Sequence, residues 1–187
     1  MKKKIVLASM LLIMLSIAGY GTMAYFTAEG TATNVITTGD IGIEIKETSL
    51  DESGEEVPFE SPVEVMPSTV VSKIVRVVNI GGQDAFIRVS LSSTVLFSDL
   101  QSGVADTDLV YMDINRQAWQ EKDGFYYYKE PVAPGQETEP LFKKVTFAPE
   151  MDNQYMHTTF TVDVNAQATQ VANNGSSAIH ALGWPAE

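Results

Sequence analysis

The chain has 187 residues, no cysteine, and 24 acidic against 12 basic side chains, for a formal charge of −12. Without cysteine it has neither disulfides nor thiol chemistry. So acidic a surface repels nucleic acid and anionic lipid, and suits a solvated extracellular protein or one that binds cations.

Residues 1–25 set the compartment. Lys2, Lys3 and Lys4 precede fourteen uncharged residues, 5–18, and Gly19-Tyr20-Gly21 ends the apolar run. Thr22 and Ala24 then stand at −3 and −1 of a cut before Tyr25. Charge, short apolar core and small-residue site in that order predict a signal peptide over residues 1–24. A full bilayer span takes roughly 20 apolar residues, so an uncleaved anchor is the alternative only if the span runs through Phe26. After the cut remain 163 residues, one domain by length, with nine basic and 24 acidic side chains and a charge of −15. A chain of that size buries enough apolar surface to fold without staples.

Residues 25–38 (YFTAEGTATNVITT) alternate. Phe26, Ala28, Gly30, Ala32 and Ile36 fall on one small face, interrupted by Asn34, and Tyr25, Thr27, Glu29, Thr31, Thr33, Val35 and Thr37 on the other. The period of two with β-branched residues predicts a strand. It is either an ordinary first strand or an extended arm that adds to another subunit's sheet. Tyr25, Phe26, Ala28, Ala32, Val35 and Ile36 are the candidate interface of such an arm. The domain proper spans 39–187.

Ile41, Ile43 and Ile45 alternate with Gly42, Glu44 and Lys46 in a half-buried strand. Residues 48–62 (TSLDESGEEVPFESP) read as an exposed acidic loop. Its acids could hold calcium, but their spacing matches no EF-hand loop, and a solvated loop explains them. Residues 71–80 (VSKIVRVVNI) and 86–91 (FIRVSL) flank Gly81-Gly82-Gln83-Asp84-Ala85 and predict a hairpin. Within it, Arg76 and Arg88 are expected to face solvent or pair with carboxylates.

A short helix is expected around residues 95–100, and strand character resumes over 109–114. Residues 117–121 and 125–129 surround Lys122-Asp123-Gly124, a tight-hairpin signal because Asp-Gly accommodates φ > 0. Trp119 with Tyr126, Tyr127 and Tyr128 forms an aromatic group explained by packing, with a carbohydrate or partner surface as the alternative. Pro134-Gly135-Gln136 marks a turn, residues 141–148 a strand, and 160–168 the longest alternation in the chain. Ser176 is positioned to cap a short helix through Leu182, stopped by Gly183, and Trp184-Pro185 to anchor the tail. About eight strands, turns rich in Gly and Pro, and one or two short helices give an all-β fold: an antiparallel β-sandwich, jelly-roll-like.

Catalytic signatures are missing from the sequence. Only two histidines occur, His157 and His180, and no HExxH, GxSxG, P-loop or GxGxxG pattern is present. A serine triad would need one of those histidines beside a buried Asp, and nothing local suggests it.

Four segments in order carry a resemblance: GYGTMAYFTAEGTATNVITTGDIGIEI, SKIVRVVNIGGQDAFIRVSL, DGFYYYKEPVAPGQETEPLF, and FTVDVNAQATQVANNG with the closing Gly-Trp. Together they resemble the TasA/camelysin family, exported through the dedicated signal peptidase SipW in Gram-positive bacteria. Thr27-Ala28 stands where TasA-like chains commonly carry Asn-Asp. The resemblance implies a secreted jelly-roll subunit of biofilm-matrix fibres at the cell surface. The implied partners are itself, a SipW-type peptidase and an accessory or anchoring matrix protein, with no cofactor.

A mechanism fits the residues. Cleavage frees residues 25–38 to enter a neighbouring sheet by strand addition. Burial of Phe26, Val35 and Ile36 would contribute roughly 1.5–3 kcal/mol each, against an association cost of about 4–15 kcal/mol. Main-chain hydrogen bonds and repetition along a fibre must add the remainder, and a head-to-tail contact that does not close grows a filament. Camelysin-type members are described as surface metallopeptidases, which gives an enzyme as one alternative. A monomeric adhesin using the tyrosines is another.

Overall fold

The computed structural model describes residues 27–31, 34–35, 37–38, 41–60, 68–96, 107–151 and 159–185. Its strands are β1 (Thr27–Thr31), β2 (Asn34–Val35), β3 (Thr37–Thr38), β4 (Ile41–Leu50), β5 (Glu56–Pro58) and β6 (Val70–Asn79). They continue with β7 (Ala85–Leu96), β8 (Val110–Met112), β9 (Trp119–Lys122), β10 (Phe125–Tyr128), β11 (Phe142–Phe147) and β12 (Thr159–Gln170). Single 3-10 turns at Thr107–Leu109 and Ala178–His180 are the helical elements among the described residues.

The strands form two antiparallel sheets. One has the order β2-β1-β12-β7-β10-β9, the other β3-β4-β6-β11-β8, with β5 paired to β4. The chain crosses repeatedly between them, and the fold is an all-β, jelly-roll-like sandwich. Alternation explains why: Ile41 and Ile43 of β4, Val75 and Val77 of β6, Ile87 and Val89 of β7, and Val164, Ala166 and Ala168 of β12 turn inward to one shared core. Trp119 and Phe142 are among its largest fully buried side chains. Burying each large side chain there contributes roughly 1.5–3 kcal/mol.

The Asp-Gly hairpin is present as expected. Asp123 (φ 51) and Gly124 (φ 80) make a two-residue turn with both central residues left-handed, which matches the twist of β9 and β10. Gln136 N–H donates to Ala133 O at 3.0 Å to close the Pro134-Gly135 turn, with Gly135 at φ 75.

Four expectations are corrected. Residues 71–80 and 86–91 do not form a hairpin: β6 and β7 lie in different sheets. Asn79, fully buried, is the reason. Its Nδ2 donates to Gln83 O and Val132 O, both at 2.8 Å, and its Oδ1 accepts from Gly81 N–H at 2.9 Å. These bonds hold the intervening link in an arch, and Ala85 then pairs with Val132 on the far side. Second, residues 92–96 continue β7 as strand rather than starting a helix, because they pair with Thr159–Asp163 of β12; residues 97–100 lie outside the described residues.

Third, the first part of the acidic loop is a hairpin of β4 with β5. Asp51 closes its turn by accepting from Ser53 N–H, Ser53 Oγ and Glu55 N–H. Fourth, the tail helix is one 3-10 turn, Ala178–His180, with Ser177 at its start making no side-chain bond; it ends at Ala181 in extended conformation, so Gly183, at φ 73, lies beyond it and does not stop it.

Candidate functional site

The N-terminal segment is where the two sheets share a boundary. β1 pairs with β12 so that Ala28 stands opposite Ala168, Glu29 opposite Gln167 and Gly30 opposite Ala166. β2 folds back on β1, with Val35 opposite Gly30. β3 then pairs Thr37 with Gly42 and Thr38 with Ile41, at the start of β4 in the second sheet. The single extended stretch read from the alternation is thus divided into three short pieces serving two sheets. Small residues suit this place, because Ala166 and Ala168 sit in the inter-sheet core at the seam and leave room for close backbone approach. Of the candidate interface residues, Ala28 and Val35 are placed by this pairing. Tyr25, Phe26, Ala32 and Ile36, and the processing residues Thr22 and Ala24, lie outside the described residues.

A second apolar cluster lies on the other face of β7 and β10. Phe86, Phe125 and Tyr127 are covered by the C-terminal segment through Ala178, Ala181 and Trp184. Arg88 is held at its centre, 8% exposed. Its Nε donates to Gln167 Oε1 at 2.7 Å, Nη1 to Tyr127 Oη at 3.3 Å and Nη2 to Pro185 O at 3.2 Å. The guanidinium lies 3.9 Å from the Phe125 ring centroid and 4.8 Å from that of Trp184, a stacked cation. This corrects the expectation for Arg88, which neither faces solvent nor pairs with a carboxylate among the described residues. Trp184 anchors the tail, edge-on to Tyr127 at 5.8 Å, and Trp119 packs against Tyr128 at 5.0 Å in the core. The aromatic residues are therefore packing elements.

Arg76 behaves as expected. It forms a two-pronged pair with Glu56 at 2.8 and 2.9 Å and approaches Glu137 at 3.5 Å, while Lys46 reaches Glu137 at 2.9 Å. The hydrogen bond from Arg76 holds the Glu56 carboxyl below its ordinary range, and Glu56 in turn raises Arg76. The Ser53 hydroxyl and the turn amides likewise lower Asp51. Lys73 Nζ lies 2.8 Å from Glu47 Oε1 and 4.2 Å from the Phe59 centroid.

Among the described residues, no group of three or more His, Asp or Glu side chains is placed to hold a metal ion. His180 Nδ1 is 3.0 Å from Ser177 Oγ in the tail turn, and His157 lies outside the described residues. An open depression of about 280 Å³, lined by Gly82, Gln83, Asp84, Pro134, Val171 and Ala172, has one acid and no base. The chain matches no family model, and neither the curated proteins nor the solved structures give a significant match.

Proposed function

We propose that this chain is a secreted structural subunit of extracellular biofilm-matrix fibres, polymerising by donation of its N-terminal segment to the next subunit. The resemblance to the TasA/camelysin family leads to this reading. One observation supports it: Thr27–Thr31 pairs with β12 in one sheet and Thr37–Thr38 pairs with β4 in the other. Their departure would uncover part of two long strands at once. An unpaired edge is a template for another chain, and the segment that fits it is carried by every copy. A subunit whose own arm has left is complete again when a neighbour's arm arrives, and the contact repeats without closing.

Release from the membrane-directed leader is the step that frees the arm. A full-length chain carrying Ala24→Asp, expressed beside a SipW-type peptidase, is expected to remain uncleaved and to give no filaments. Mature-length filaments from that variant would contradict the reading.

A further inference from the structure

The C-terminal segment is tied down at one amide. Asn174 Nδ2 donates to Gln170 O at 2.8 Å and to Leu182 O at 3.1 Å, and its Oδ1 accepts from Leu182 N–H at 2.7 Å. The side chain thus pairs with Leu182 as one peptide pairs with another, while Gln170 fastens it to the end of β12. Its surroundings demand an amide: two carbonyls face Nδ2, and two N–H groups, of Leu182 and Gly175, face Oδ1. Trp184 and Pro185 follow just beyond Leu182 and cover Arg88.

Asn174 precedes a glycine. In that pairing asparagine is chemically least durable, because no side chain on the next residue hinders attack by its nitrogen. The Gly175 nitrogen stands 2.8 Å from Asn174 Oδ1, the oxygen bonded to the carbon it would attack. After that nitrogen gives its proton to solvent hydroxide, its lone pair forms a bond to Asn174 Cγ. The Cγ–Nδ2 bond breaks, and Nδ2 leaves as ammonia with a proton from water. Water then opens the cyclic imide at either carbonyl, to an aspartate or an isoaspartate. No oxidant or reductant takes part.

The docked tail holds this reaction back. The attacking N–H is committed to Oδ1, and the leaving nitrogen to the carbonyls of Gln170 and Leu182. Opening the tail frees both. The product no longer fits: a carboxylate keeps the accepting side, but sets an oxygen where two carbonyl oxygens need a donor. Acceptor then meets acceptor, which costs more than the lost bonds alone.

We propose that Asn174–Gly175 is a deamidation switch: tail opening permits its conversion, and conversion then keeps the tail off Arg88. This stands on the contacts of the tail alone and does not depend on the fibre reading.

Two measurements on the mature chain, residues 25–187, test it. Peptide mass spectrometry after ageing at mildly alkaline pH reads the gating. Asn174 is expected to convert, and Asn173, which precedes no glycine, to stay an amide. Trp184→Ala loosens the tail and is expected to speed conversion about tenfold. Hydrogen exchange of residues 180–182 reads the release. Freshly prepared Asn174→Asp, and the converted fraction of the aged parent, are expected to exchange there about tenfold faster. The β6 and β11 amides report on the rest of the fold and are expected to hold. Equal conversion in the parent and in Trp184→Ala would overturn the gating. Parental protection of residues 180–182 in Asn174→Asp or in converted parent would overturn the release. Loss of β6 and β11 protection alongside would overturn a switch confined to the tail.

Discussion

Arg88 donates through Nε to Gln167 Oε1 at 2.7 Å, across the join between β7 and β12, the two longest strands among the described residues. That bond ties the tail, which closes over Arg88 through Trp184 and Pro185, to the strand on which the arm lies. Three segments distant in sequence thus meet at one guanidinium. Arg88→Ala is expected to lower stability by about 3 kcal/mol, combining lost charged hydrogen bonds with lost ring contacts. Arg88→Lys retains the charge but not the planar fork and is expected to cost about half as much. Urea unfolding reads both, and a loss below about 1 kcal/mol for the alanine variant would contradict the central placement of Arg88.

Gly175 is required by close approach. A Cβ there would meet His180 O at 2.4 Å and Ala181 N at 2.9 Å, both backbone. Asn174 locks the same turn, donating to Gln170 O and accepting from Leu182 N–H at 2.7 Å. Gly175→Ala is expected to cost about 1–3 kcal/mol and to shift tryptophan fluorescence to the red as Trp184 loses its contacts. An unshifted spectrum with full stability would show that the tail holds by other means.

Acid is expected to loosen the β4–β5 hairpin first. The Glu56 carboxyl, held by Arg76, titrates below its ordinary 4.5, and Asp51, held by Ser53 and the turn amides, below its ordinary 3.8. Groups whose carboxyl is depressed in the folded state stabilise fully above the unfolded value and lose that contribution as pH falls through the folded one. Protection of residues 48–58 against hydrogen exchange, taken relative to the intrinsic rate at each pH, should therefore hold at neutral pH and fall below about pH 4.5, and Glu56→Gln should flatten that fall. A steeper fall in the Gln variant would contradict the assignment.

Gly124 occupies φ 80 in the β9–β10 turn. Gly124→Ala is expected to cost about 1 kcal/mol through backbone strain, with little change at Asp123→Asn, since Asn tolerates the left-handed region. Thermal unfolding of the two variants separates these outcomes.

The fold was legible where local chemistry decides. Isoleucine alternation marked β4, the long apolar alternation marked β12, and Asp123-Gly124 marked its hairpin. It was not legible where one distant bond decides. Nothing in VNIGGQDAF announces that the Asn79 amide will reach Val132 O, 53 positions away, and so send β7 to the opposite sheet. Arg88 reads as a solvent-facing arginine because its cover, Pro185, lies 97 positions along the chain. For the candidate site, the period of two identified residues 25–38 as strand-forming, but small residues alone could not tell that they divide between two sheets. Gln167 was hidden as the polar member of an Ala-Gln-Ala alternation. Its role is visible only when β1 and β7 flank it.

The central claim is that the N-terminal segment makes the fibre contact. Negative-stain microscopy of purified residues 25–187, beside a chain beginning at Gly39, tests it most directly. The account predicts filaments from the first and none from the second. Filaments from both would contradict it and place the contact elsewhere on the sandwich, and monomers from both would remove the structural role.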